Sequence, residues 1–258
     1  RRIVGEVNPD FIFHLASPGG HPKNEQEKAE LWRTSALGTS NLLEASVNCR
    51  YNCLVHFGSS LEYGAGFRPA KEDDPVSPIT DRGVARAEAT ALCSKFAKEN
   101  SKPIVTLRVF SVYGYWEGPT RLIPRAIRAA LMNEELALTP RGCGRDFIFV
   151  EDVIEACLLC LEKEKTHGEI INIGSGVWWT HEETVGTIQN VCGRKFSVRI
   201  GDYQPSPYDM SARIADIGKA KGLLKWQPTH TLRQGLEATI AWIRKRPDIY
   251  LSQVDTLH

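Results

Sequence analysis

Apolar residues in this chain fall into short unbroken runs, separated by longer stretches in which they recur every three or four positions. Asp10-Phe11-Ile12-Phe13-His14-Leu15-Ala16 is the first run, and it has the character of a strand buried on both faces. From Glu25 to Val47 the apolar positions Leu31, Ala36, Leu42 and Leu43 return at helical spacing. Cys53 to Phe57 reads as the next strand, ending at Gly58-Ser59-Ser60, and a loop rich in Pro, Gly and Asp follows to Thr80. Arg82 to Glu99 predicts a helix and Pro103 to Phe110 a strand. Strands alternating with helices of these lengths imply βαβ crossovers and a parallel, doubly wound sheet, an α/β fold.

Beyond Tyr113 the pattern is less regular. Leu122 to Met132 is helical, and Leu136–Thr139 and Asp146–Val150 are short strands. Glu151 to Leu161 is a helix and Glu169 to Ile173 a strand that runs into Gly174-Ser175-Gly176. Thr180 opens a helix reaching Val191, with Glu183 three residues on in a capping-box pattern. Leu232 to Ile243 is amphipathic. The expected division is residues 1–115 as a nucleotide-binding unit and 116–258 as a smaller α/β unit. Segments from about 145 to 176 are expected to return to the first sheet.

Composition narrows the function classes. Of 258 residues 42% are hydrophobic and 24% charged, with a formal net charge of +1. That balance gives no electrostatic case for nucleic acid or an anionic membrane as partner. No apolar run reaches the roughly 18 residues a bilayer span needs. The first residues, Arg1-Arg2-Ile3-Val4-Gly5-Glu6, carry no apolar signal region. Seven cysteines, an odd number scattered through long elements, fit reduced packing thiols in a cytoplasmic protein. Neither the Cys157–Cys160 pair nor Cys49 and Cys53 has further ligands close by, so no metal site is expected.

Several local sequences, taken together and in order, resemble one family. His14-Leu15-Ala16 after a strand is similar to its "HLA", and Gly38-Thr39-Ser40-Asn41-Leu42-Leu43-Glu44-Ala45 to its "GTxNLLEA" helix. Gly58-Ser59-Ser60-Leu61-Glu62-Tyr63-Gly64 looks like "SSxxVYG", and Leu107-Arg108-Val109-Phe110-Ser111-Val112-Tyr113-Gly114 like "LRxFNVYG". The stretch from Arg145 to Val153 resembles "RDFxxVxDV", Asn172 to Gly176 resembles "NIGSG", and Arg213 to Pro228 resembles "RxxDxxKAxxxLGWxP". Each is weak alone; in sequence they cover nearly the whole chain. They identify the chain as resembling the extended short-chain dehydrogenases/reductases that modify nucleotide sugars, the NAD-dependent epimerases and dehydratases. The resemblance implies a Rossmann domain holding NAD or NADP and a smaller C-terminal domain holding a nucleoside-diphosphate sugar. It also implies a homodimer built through a four-helix interface, here the Glu25–Val47 and Arg82–Glu99 helices.

Two departures stand out. The family opens with a strand and a GxxGxxG turn that receives the cofactor pyrophosphate. The present sequence opens just before the family's fourth strand, so about 55–70 residues of the pattern do not appear. A start omitted from the sequence is the expectation, because a doubly wound sheet without its central strand would expose apolar edges. Second, the family's catalytic Tyr-x-x-x-Lys falls on Arg82-Gly83-Val84-Ala85-Arg86. Ser59 occupies the position of the family serine that meets the reacting hydroxyl, and two family asparagines are Ser35 and Ser111. An arginine is no general base near neutral pH, since its pKa exceeds about 12.

By resemblance, the expected catalytic positions are Ser59 and Arg82, with Glu62 as a replacement base because the family has an apolar residue there. Tyr63, Asp81 and Tyr115 are weaker candidates for the same task. Cofactor contacts are expected from His14, Leu15, Ala16, Ser35, Arg86 and Val112, and substrate contacts from Ser60, Ser111, Arg145 and Arg213. The plainer alternatives remain open at this point. Arg82 and Arg86 would serve equally as a solvated basic face, and Arg145 as the partner of a carboxylate such as Asp152. Function stands between an epimerase/dehydratase-like enzyme with atypical residues and a degenerate nucleotide-sugar-binding relative or partner subunit of an active paralogue.

Overall fold

The computed structural model describes residues 2–20, 22–66 and 68–251; the outer bounds expected for the two units, residues 1 and 258, lie outside them. A short helix α1 (Arg2–Val7) precedes strand β1 (Phe11–His14). The helix expected over Glu25–Val47 is one run in three parts: α2 (Glu25–Trp32), a π-helical turn (Arg33–Leu37) and α3 (Gly38–Ser46). Strand β2 (Cys53–Ser59) follows, then the two-residue β3 (Pro69–Ala70), helix α4 (Asp81–Asn100) and strand β4 (Ile104–Val109). Next come β5 (Ser111–Tyr113), α5 (Leu122–Met132), β6 (Leu136–Leu138), β7 (Gly144–Arg145), β8 (Phe147–Phe149), α6 (Val150–Leu161) and β9 (Ile170–Ile173). The remainder is β10 (Trp179–Thr180), α7 (His181–Cys192), β11 (Val198–Ile200), β12 (Ile214–Ala215), α8 (Gly218–Leu224), α9 (Leu232–Arg244) and α10 (Pro247–Tyr250).

The main sheet is parallel with strand order β1-β2-β4-β9. Alternation along each strand sorts its side chains between two layers. Leu54 and Ile104 meet Leu43 of α3 and Cys93 of α4 on one face. Cys53, Val55, Val105, Leu107 and Ile171 meet Val153, Ala156 and Cys157 of α6 and Ala220 of α8 on the other. Strand β1 is the edge of the described sheet, and Phe11, Phe13 and the following Leu15 are 39%, 45% and 56% exposed.

The second lobe has its own core, in which Ile123 and Ile127 of α5, Val185 and Ile188 of α7 and Leu236 and Ile240 of α9 enclose Tyr113, Phe147 and Phe149. Thr180 caps α7 with the reciprocal Glu183 bond that the sequence predicts. All seven cysteines are free thiols and six are buried. Burial pushes the thiols of Cys53 and Cys93 up to about 12 and that of Cys157 up to about 11.

Asp146 joins the lobes to the sheet. It is 1% exposed, and its Oδ1 accepts from the backbone N and Oγ of Ser175 at 2.7 and 2.6 Å. Its Oδ2 accepts from the backbone N of Gly176 at 3.0 Å and of Ala215 at 2.9 Å. One carboxylate thus fixes the turn after β9 and the strand β12 to the β7–β8 corner. Asp146→Asn turns an amide donor toward one or two of these N–H groups. Since hydrogen bonds to charged groups are worth ~1.5–3 kcal/mol each, the variant is expected to lose about 2–4 kcal/mol, read as a lower urea midpoint at unchanged slope. A loss under about 1 kcal/mol would remove Asp146 from this role.

Candidate active site

The ends of β2 and β4 and the first turns of α4 and α6 enclose a groove of about 500 Å³. Its floor is Phe57, Gly58 and Ser59, and its walls include Phe13, Leu15, Val112 and Ile154. Arg82 and Arg86 lie on its α4 side. Thr80 starts α4 by accepting from the N–H of Gly83, and four-residue spacing then places both guanidiniums on one helical face. Gly83 lets that helix end come close: a Cβ there would stand 2.7 Å from the Leu61 carbonyl and 2.9 Å from Pro78 Cβ. The arginines are consequently not a solvated surface. Arg82 Nη1 donates to the Gly20 carbonyl at 3.1 Å and Arg86 Nη1 to the Phe57 carbonyl at 2.7 Å. The Nε of each is buried with no hydrogen-bond partner among the described residues.

Burial lowers the pKa of both groups, with Arg121 adding to the effect at Arg82. Arg86 falls to about 10, with Arg82 adding to the effect, and it remains a cation near neutral pH. Among the described residues no tyrosine lines the groove. Tyr63 is turned away, its hydroxyl donating to Asn172 Oδ1 at 2.7 Å. Asp81 pairs with Lys28 at 3.2 Å, and Tyr115 packs against Phe149 and Trp242.

Glu62, expected as a replacement base, sits elsewhere. It is 0% exposed and does not line the groove. Its Oε1 accepts from the backbone N of Ser59 at 2.7 Å and from Thr90 Oγ1 at 3.0 Å, and its Oε2 pairs with Arg108 Nε at 2.7 Å. With these three donors, and outside the groove lining, the Glu62 carboxylate positions Ser59. Ser59 in turn spends one lone pair on the backbone N of Leu61, 3.2 Å away, and keeps its hydroxyl at the groove floor.

Of the residues predicted for the cofactor, Leu15, Arg86 and Val112 line the groove. His14 and Ser35 lie behind it. His14 Nε2 pairs with Thr39 Oγ1 at 2.7 Å, and Ser35, inside the π-helical turn, meets Ser17 Oγ at 3.2 Å. Burial, then the Arg86 charge, lowers the His14 pKa; burial, with His14 and Arg86 adding, brings His56 down to about 3. Both imidazoles stay neutral beside the arginines. Ala16, Ser60 and Ser111 line neither this groove nor the next.

A second pocket, of about 290 Å³, opens between α5, α7 and the 203–209 loop. Arg145 lies in it, bonded to Asp209 and to Ser206 Oγ, so its carboxylate partner is Asp209. Asp152 instead serves Thr229 and His230. Arg213 lines neither pocket; it is 6% exposed and stacks 4.1 Å above the Tyr208 ring. Its Nε and Nη1 have no hydrogen-bond partner among the described residues, and burial brings it to about 10. Among the lining residues that escaped the sequence reading are Glu117 and Arg121, which pair at 3.7 Å. Their i,i+4 spacing was the available signal, lost in a stretch with no regular pattern.

The model of the NAD dependent epimerase/dehydratase family matches residues 1–174. The chain belongs to this family. It is 30% identical over 236 residues to the uncharacterized UDP-glucose epimerase YtcB of Bacillus subtilis, covering 91% of the chain and 74% of that relative. It is 32% identical to the UDP-N-acetyl-alpha-D-glucosaminuronate decarboxylase of Bacillus cytotoxicus, covering 92% and 77%. Among solved structures it resembles the UDP-glucuronic acid 4-epimerase of Bacillus cereus in complex with UDP-glucuronic acid and NAD. The TM-score is 0.86 at 28% identity, over 95% of this chain and 77% of that one. Rossmann-type architecture in the first lobe of this epimerase/dehydratase member follows from that likeness and from the parallel sheet.

Glu117 gives the second pocket a measurable pH signature. Burial raises its carboxyl to about 7, Arg121 offsetting only part of the effect. The folded state therefore holds the proton more tightly than the unfolded chain, whose carboxyl titrates near 4.3. The stabilising contribution is complete below about pH 4.3 and lost as pH rises toward 7, by at most about 4 kcal/mol. Glu117→Gln is expected to remove that decline, so the urea midpoints of variant and parent diverge between about pH 4.5 and 7. Parallel profiles across the window would refute the shift.

Proposed function

We propose that this epimerase/dehydratase-family protein binds NAD and a nucleoside-diphosphate sugar, and that Arg82 and Arg86 leave it without the proton acceptor on which hydride chemistry at a sugar hydroxyl depends. The observation that carries this reading is the pair of guanidiniums at the Ser59 groove with no phenol lining it. NAD is the cofactor bound to the solved relative. The groove suits a nicotinamide in having apolar walls with a few directed polar groups, and the orphaned Nε of Arg86 is a donor for a ribose hydroxyl. When bound, NAD supplies hydride acceptance. This chain's residues would supply the rest: Ser59 a hydrogen bond to the reacting hydroxyl, Arg86 the hold on the cofactor, Leu15 and Val112 the exclusion of water. Arg145 and Arg213 would grip the diphosphate, for which planar paired donors are well shaped.

The missing step is proton removal. General-base catalysis contributes ~10²–10⁴-fold, equivalent to roughly 3–5 kcal/mol of barrier, and a guanidinium that stays protonated provides none. The reading therefore favours a protein that binds its ligands well and turns them over slowly, including a degenerate relative that supports an active paralogue. We further propose a homodimer formed through the α2–α3 and α4 helices, and a cytoplasmic setting in which its free thiols stay reduced.

The test uses the full chain. NAD(H) is quantified after denaturing the purified protein, and NADH absorbance is followed on adding UDP- and dTDP-sugars. Bound cofactor with little reduction is expected. The double variant Arg82→Tyr with Arg86→Lys should raise turnover by about 10²-fold or more. Rapid transient reduction in the parent, or lost turnover in the double variant, would overturn the reading.

A further inference from the structure

The described lining of the second pocket brings the arginines Arg121, Arg125 and Arg145 together with two carboxyl groups, Glu117 and Asp209. Asp209 is fully engaged, bonded to Arg145 and accepting from the backbone N of Ser206 at 2.7 Å. Glu117 is not. Its side chain is 12% exposed, and its contact with Arg121 is a long 3.7 Å. Its Oε2 is buried with no hydrogen-bond partner among the described residues. Buried carboxylates elsewhere in the chain collect several donors, as Asp146 and Glu62 do. A carboxyl left with a free oxygen in such a place is better suited to its acid form, which has a proton to donate.

The backbone is strained where it delivers this side chain. Trp116 takes a φ of +61°, a left-handed conformation that is rare for a bulky residue, and it is 69% exposed. The turn sends the tryptophan outward and the next side chain inward. Tyr250 Oη holds the result by donating to the Glu117 carbonyl at 2.8 Å, and Arg246 lies over the Trp116 ring at 5.5 Å. Strain of this kind persists where the surroundings over-determine it, and it clusters at ligand sites.

Resting on the proposed function above, in which Arg145 meets the diphosphate, we infer that Glu117 is a further ligand contact in the second pocket. As the acid it donates its O–H to a diphosphate oxygen beside Arg121 and Arg145. As the carboxylate it repels that oxygen and keeps Arg121 for itself. Ligand binding is then coupled to one proton, already in place below neutrality and taken up from solvent above it. The groups facing Glu117 set the background for that coupling. Arg121, Arg125 and Arg145 are guanidiniums and stay charged. Asp209 keeps Arg145 as its partner, and the Tyr203 ring lies 4.3 Å from the Arg125 guanidinium. Burial brings His181 down to about 4 and raises the phenols of Tyr113 and Tyr250, while it holds Glu117 up at about 7. The affinity should therefore follow Glu117.

Calorimetric titration of the full chain with UDP-glucose between about pH 6 and pH 8 tests this. The diphosphate of that ligand is esterified at both ends and stays ionised throughout, so any slope belongs to the protein. Affinity is expected to fall about tenfold across the window, as one proton held at about pH 7 requires. The binding heat should vary with the ionisation enthalpy of the buffer at the upper end. Glu117→Gln keeps a donor and cannot ionise, so its profile should be flat and near the parent's value at the acid end. Glu117→Ala should be flat and about tenfold weaker, the loss of one charge-assisted hydrogen bond. A flat parent profile, or a slope that persists in Glu117→Gln, overturns the inference alone. So does an affinity that rises with pH and drops in Glu117→Gln, the result if the carboxylate only orients Arg121. Failure of UDP-glucose to bind at any pH overturns the proposed function along with it.

Discussion

A single buried carboxylate, that of Glu62, holds the groove end of the sheet in shape. It collects the backbone N–H of Ser59, the hydroxyl of Thr90 on α4 and the guanidinium of Arg108 on β4. Arg108 passes the tie on, reaching the Glu72 carbonyl at 3.3 Å and lying over the Tyr63 ring at 4.7 Å. Two adjacent strands, the helix that crosses between them and the loop beyond are thus pinned at one point, with both charges out of water. Removing one partner of such a pair costs ~3–5 kcal/mol, because the other is left charged and dry. The strand end carrying Ser59 and the helix face carrying Arg82 and Arg86 are set relative to each other by this contact. The groove geometry follows from it.

Within that frame, the two pockets divide electrostatic labour. Pairing with Asp209 gives Arg145 a fixed orientation at reduced net charge, and Glu117 stands beside Arg121. The groove arginines are held by carbonyl oxygens, which orient a guanidinium without cancelling its charge. His14 and His56 remain neutral close by, since burial and the Arg86 charge both oppose protonation. The positive charge of the groove therefore rests on Arg82 and Arg86.

The main strands and helices were legible because their periodicities are set by burial, which the chain records locally. Helix α4 and the Thr180–Glu183 cap fell within a residue of expectation. The break of the first long helix into a π-helical turn at Arg33–Leu37 was not legible, since nothing in RTSAL disrupts helical spacing. The groove positions of Ser59, Arg82, Arg86 and Val112 followed from motif order. Glu62 misled for a physical reason: a polar residue at an apolar motif position looks reactive in sequence, and only the fold shows Arg108 arriving from another strand to neutralise it. Asp209 as the Arg145 partner was equally hidden, because the two are separated by 64 residues and meet only through tertiary packing.

The distribution of thiols has a use of its own. Cys53, Cys93, Cys157 and Cys160 sit in the walls of the first lobe, and Cys143 and Cys192 belong to the other. Alkylation of a sequestered sulfur requires the surrounding structure to part, so each modified peptide dates the opening of its own neighbourhood. The chain carries, without any engineered label, a set of local clocks by which the loosening of one lobe can be timed against the other.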